Sequence, residues 1–143
     1  MIKYLTALAA AAAVSLPLAA AAQMDRTPAP EGANVYIITP SDGERVTSPV
    51  TVRFGANNVG VAPSGVDHEN TGHHHLLVDT GLPNLNSPIP ADDNHIHFGG
   101  GQTQTTIDLE PGEHTLRLLM GDARHVPHDP PIASATITIT VAE

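Results

Sequence analysis

No cysteine occurs in the chain, and that absence removes three possibilities. No disulfide can staple the fold, so it must rest on its apolar core. No thiolate is available to a metal, and no lipid-modified cysteine can follow the N-terminal apolar run. Cations are scarce too: six Lys and Arg stand against 15 Asp and Glu, a formal net charge of −9. A chain this acidic repels nucleic acid and anionic lipid and mildly attracts cations, so nucleic acid is excluded as a partner. Convincing amphipathic helices and internal repeats are also missing. So are the marks of several catalytic classes. No serine sits in a nucleophile elbow. The run Gly99–Gly101 lacks the Lys-Ser/Thr and the helix that a phosphate loop needs. Its glycines suit a tight turn, or close approach of the backbone to a ligand.

The long apolar run lies at the start. Residues 1–22, MIKYLTALAAAAAVSLPLAAAA, carry one lysine, an Ala/Leu/Val stretch and a small-residue end at Ala20–Ala22. This predicts a secretory signal peptide cut before Gln23, hence a periplasmic or secreted protein. Ser15 and Pro17 interrupt the run and no stop-transfer flank follows, so no membrane anchor is expected. Removing Lys3 with the signal peptide takes the formal charge to −10 over 121 residues, enough for one domain. Residues 23–33 are polar and Pro-rich and read as a flexible leader. Residues 34–143 form the remaining domain.

In that domain the apolar period is two. Strands are predicted at 35–39, 49–56, 73–79, 95–98, 103–109, 113–121 and 133–141, separated by turns such as Pro40–Gly43 and Glu110–Gly112. Six or seven short strands with turn signals between them predict an all-β, immunoglobulin-like antiparallel β-sandwich. The Pro-rich connection Thr80–Asn94 is long for a hairpin, which marks it as functional or irregularly packed.

Against the missing cysteines stand nine histidines. Successive antiparallel strands alternate direction, so every second connection lies at the same end of the sandwich. That rule sends His68, His73–His75, His95, His97, His125 and His128 to one end and only His114 to the other. On the third strand His74 shares a face with Leu76 and Val78, while His73 and His75 share the other, roughly 7 Å apart by Cα. His95 and His97 repeat the spacing, with Ile96 and Phe98 on the opposite side as packing. Neutral imidazole ligates zinc and suits copper, and an all-imidazole, thiol-free set fits Cu(II) or Zn(II) better than Cu(I). His73, His75, His95 and His97 are therefore the main candidate metal ligands, with His125 and His128 completing or covering the site. One zinc ion takes about four ligands, so some of these histidines must serve otherwise. His68, in a Gly/Asn-rich loop, reads as a bystander. His114 alternates with Leu116, Leu118 and Met120 and reads as a hydrogen-bonded residue at the core edge. Asp122 could ligate, orient a histidine or cap a turn.

Three segments together, GHHHLLVD (72–79), NHIHFGGGQT (94–103) and LLMGDARHVPHDPP (118–131), resemble an uncharacterised exported bacterial family, a domain of unknown function. The resemblance covers about residues 34–142 and implies a small secreted β-sandwich whose His segments form one unit. NHIHFG is also similar to the His-x-His segment of copper/zinc superoxide dismutases. That match touches only His95 and His97, without the family's cysteines or zinc loop.

The expected function is periplasmic copper or zinc binding, for handling or sequestration. The expected partners are that ion and a periplasmic protein. A different reading makes the same end an interaction module for a protein or glycan, its histidines purely structural. A metal-dependent enzyme would need an open coordination position and a base. Glu69, Asp92 and Asp93 are available carboxylates with no motif behind them, so turnover is not the expectation.

Overall fold

The computed structural model describes residues 24–143; the expected signal peptide lies outside the described residues. The described chain is all-β, a two-sheet sandwich as the period-two pattern implies. One sheet has three strands: β1 (Asn34–Thr39), β3 (Val50–Asn57) and β7 (Gln104–Ile107), in the order β1-β3-β7. The other has six: β2 (Arg45–Val46), β9 (Ile137–Val141), β8 (Gly112–Gly121), β5 (Thr71–Val78) and β4 (Gly60–Val61), with β6 (His95–His97) also on β5.

The count exceeds six or seven through β2 and β4, two-residue strands with no legible period. Both pair in parallel, on β9 and β5, so the sandwich is not purely antiparallel. The last strand begins at Ile137 rather than residue 133. Before it, Ser134 accepts the Leu118 amide on its hydroxyl, and only an isolated bridge joins Ala133 to Leu119.

The two inner faces meet in one core. Val50, Val52 and Phe54 come from β3, Leu76 and Val78 from β5, and Leu116, Leu118 and Met120 from β8, all buried. A second, smaller core lies on the outer face of the six-stranded sheet. There Leu77 of β5 and Leu119 of β8 pack with Ile89, and Leu82 lies against them. The long Pro-rich connection thus has a use: its Leu82 and Ile89 cover that outer face.

Within the expected leader, residues 26–29 are hydrogen-bonded to the domain. The Thr27 carbonyl and the Ala29 amide, on either side of Pro28, each bond to the Asp129 main chain at 2.9 Å, and Arg26 bonds to the Pro127 and His128 carbonyls. Among the described residues no helix is long and apolar enough to cross a membrane.

Candidate metal centre

β5 sits between β8 on one side and β4 and β6 on the other, so both its edges and both its faces are covered. Every residue from Gly72 to Val78 is buried as a result. Alternation sends Gly72, His74, Leu76 and Val78 into the main core and His73, His75 and Leu77 to the outer face. Register then supplies the neighbours. On β8, His73 lies opposite Gly121 and His75 opposite Leu119; on β6, His75 lies opposite His97. The His75 and His97 rings stack with centroids 5.0 Å apart and planes 29° apart.

The fourth imidazole arrives from a turn. Asp122 Oδ1 accepts the amides of Arg124 and Val126, at 2.9 and 3.0 Å, and the Asp122 carbonyl accepts the amide of His125 at 2.9 Å. This turn holds His125 at φ 65°, in the left-handed region that a residue with a Cβ seldom adopts. Its carbonyl is fixed by the Ile89 amide at 2.8 Å. The ring lies edge-on to His73, with Nδ1 3.2 Å from His73 Nε2, while Nε2 lies 3.1 Å from Ser64 Oγ. Ser64 is itself anchored, its amide donating to the Gly99 carbonyl at 2.8 Å.

Two glycines make room. A Cβ at Gly121 would stand 3.0 Å from His75 Cε1 and 3.3 Å from His125 Cα. One at Gly99 would stand 2.5 Å from His97 Cε1. Neither glycine needs a positive φ, so close approach is what both positions require.

His73, His75, His97 and His125 thus each offer a nitrogen, and the four lie within 4.8 Å of one another. Burial comes first among the influences on their charge. It pushes His73 down to about 4 and His75 down to about 3, aided by the neighbouring imidazoles, while Asp122 opposes the shift at His73. Burial, then His125, lowers the more exposed His97. His73, His75 and His97 are therefore held in the neutral form that a metal requires. His97 also lines an open groove with Asp92, Asp93, His95 and Asp108, an electronegative approach for a cation.

A tetrahedral ion with nitrogens about 2.0–2.1 Å away spaces them about 3.4 Å apart, so the widest pair must close by roughly 0.7 Å per ring. His73 Nε2 and His125 Nδ1, at 3.2 Å, are already there. His75 Nδ1 is buried with no hydrogen-bond partner, as are both His74 nitrogens and His128 Nδ1 outside the cluster. The donor set, the spacing and the neutral rings fit a metal ion.

Two of the six sequence candidates stand apart. His95 shares the face of His97 but opposes Leu77, one strand step of roughly 7 Å from His75. Its Nδ1 contacts Asp92 Oδ1 at 2.7 Å, an interaction that lowers the Asp92 pKa. His128 lies on the other face of β5: its Cε1 is 2.9 Å from where a Gly72 Cβ would stand, and its Nε2 donates to the Thr71 carbonyl at 3.2 Å. Its i, i+3 spacing from His125 does not give a shared face, because this segment turns rather than coils.

The remaining histidines have other surroundings. His74 is buried in the main core, 5.2 Å from the Phe54 ring, with neither nitrogen paired. His68 is exposed and donates to the Glu69 carbonyl. His114 joins Asp79 at 2.7 Å, which raises its pKa. Asp122 caps the turn.

The connections meet at one end as the alternation rule implies: Ser64 reaches Gly99, and Gly65 donates to the Ala123 carbonyl. The cluster itself, however, sits on the outer face of the sheet rather than among loop tips. Ser64 and Gly121 carry no motif, and sequence reasoning passed over both. Only Gly121, ending β8 just after the apolar run Leu118–Met120, offered a signal.

Among known proteins, neither a curated sequence nor a solved structure matches the chain. A family does, over residues 52–142, a span containing all four clustered histidines as well as Ser64, Gly99 and Gly121. By that match the chain belongs to the family described as Domain of unknown function (DUF4399).

Proposed function

We propose that this is an exported metal-binding β-sandwich that holds one copper(II) or zinc(II) ion for handling or sequestration in the periplasm. The observation carrying the proposal is the meeting of four imidazole nitrogens within 4.8 Å on two buried strand residues, an edge strand and a strained turn. Four nitrogens complete a tetrahedral shell, whereas catalytic zinc sites keep one position open beside three protein ligands. That supports binding over turnover. The apolar start of the chain supports the export step.

Calorimetric titration of the mature, untagged protein with Cu(II) and Zn(II) tests the reading. One ion should bind per chain. His73→Ala with His75→Ala should abolish binding, while His95→Ala and His128→Ala should leave the affinity within a few-fold. Undiminished affinity after loss of His73 and His75 would refute the assignment. Absence of binding by the wild type, with a melting temperature unmoved by metal, would favour the interaction-module reading instead.

A further inference from the structure

The hydrogen bonds of the N-terminal segment Asp25–Ala29 fall on the stretch that delivers one of the four clustered imidazoles. The Arg124 guanidinium donates to the Asp25 carbonyl at 2.7 Å. Arg26 donates to the carbonyls of Pro127, at 3.1 Å, and His128, and pairs with the Asp129 carboxylate at 3.5 Å. The Asp129 amide donates to the Thr27 carbonyl at 2.9 Å, and the Ala29 amide returns to the Asp129 carbonyl at 2.9 Å. Thr27 Oγ1 donates to Asp122 Oδ2 at 2.7 Å.

Asp122 is where this strap meets the site. One carboxylate oxygen takes the Thr27 hydroxyl, and the other takes the amides of Arg124 and Val126, the residues on either side of His125. The carboxylate is buried, and its hydrogen bonds fix it against the turn. His125 needs such support because its backbone is left-handed. The other three histidines do not: His73, His75 and His97 stand on paired strands whose ladder fixes them.

We propose that Arg26, Thr27 and Asp122 are positioning residues for the fourth ligand, and that the strap sets whether the site presents four imidazoles or three. This rests on the metal-binding reading of the cluster. Linkage makes the coupling reciprocal: if a docked strap favours the ion, the ion must favour the docked strap. A partner that peeled residues 25–29 away would loosen the ion, giving the fold a route to release its cargo.

The test uses the mature protein with Zn(II) for affinity and Co(II), whose visible absorption reports coordination number. Arg26→Ala with Thr27→Val should weaken Zn(II) binding about 10-fold, at the lower end of what lost supporting hydrogen bonds around metal sites cost. The Co(II) spectrum should move toward that of His125→Ala. Thr27→Ser, which keeps the hydroxyl, should bind like the wild type. In a His125→Ala background the strap substitutions should have no further effect on affinity, a non-additivity that a general loss of stability would not produce. Added Zn(II) should slow exchange of the Ala29 and Asp129 amides, which bond the strap to the turn, in the wild type. Wild-type affinity in the strap variant, or an equal loss with and without His125, overturns the strap assignment alone. A wild type that binds neither metal overturns the site reading itself.

Discussion

Replacing Gly99 by alanine tests the cluster without touching a histidine. The new Cβ would stand 2.5 Å from His97 Cε1 and 2.9 Å from Nε2, whereas ordinary contacts begin near 3.4 Å. The ring must therefore retreat by about 1 Å, while metal–ligand distances tolerate only about 0.2 Å. Removing one ligand in four from a site worth about 10–16 kcal/mol costs about 3 kcal/mol, about 100-fold in affinity. Folding stability should respond differently. The His97 side chain is exposed and can swing into water, and alanine in place of a glycine without positive φ restricts the unfolded chain, a gain of about 0.4–1 kcal/mol. Zn(II) calorimetry together with melting of the metal-free protein separates the two effects. Affinity should fall about 100-fold while the melting temperature holds or rises slightly. Unchanged affinity would show that His97 contributes nothing to binding. A melting temperature that fell with the affinity would show that the clash is relieved by the backbone instead.

Two further outcomes follow from the buried imidazoles. His74→Leu removes a ring whose two nitrogens find no partner in the core, in exchange for a side chain of similar volume. The metal-free protein should gain about 1–3 kcal/mol in urea unfolding, with metal affinity unchanged, and a loss of stability would contradict the packing described. Stability should also depend on pH. His73 stays neutral down to about 4 and His75 to about 3, while in the unfolded chain both take a proton near 6.5. The unfolded state then binds more protons below 6.5, so metal-free stability falls with pH from there toward 4, by up to about 1.4 kcal/mol per unit for each such imidazole. The raised His114 acts in the opposite sense, contributing stability below 6.5 that is lost as pH rises through its folded pKa, but its pairing with Asp79 is superficial and weak. A urea midpoint unchanged between pH 7 and 5 would contradict this.

The sandwich was legible because its physics is local. Alternation along Val50–Phe54, Leu76–Val78 and Leu116–Met120 states which side chains face the core, and the second face of β5 follows from the same rule. That is enough to place His73 and His75 together. It is not enough to separate His97 from His95. Both have the same local pattern, and only the register of β6 against β5, a pairing between segments twenty residues apart, puts His97 opposite His75 and His95 opposite Leu77. His125 and His128 show the same limit in a turn: one left-handed residue sends their rings to opposite sides of the sheet. The docking of residues 25–29 is illegible for a related reason. The Pro-rich composition of the leader describes a free segment well, but a handful of bonds to Asp122, Pro127, His128 and Asp129 decides its place.

Burial on the outer face of the six-stranded sheet can be satisfied in two ways, and β5 shows both within three residues. Leu77 is covered by Leu119 and Ile89, a contact that needs nothing but apolar surface. His73 and His75 are buried to the same degree beside it, yet imidazoles gain less from leaving water, and here one nitrogen is left without a partner. Three further features make their burial harder still. Neutral rings crowd one another, His125 adopts a left-handed backbone, and Gly121 stands where a β-branched residue would favour the strand. Each of these makes the fold less stable than an apolar patch continuing from Leu77 would. Stability therefore does not account for the cluster. A ligand that bound only the folded arrangement would, because its binding free energy would add to folding and offset these costs together.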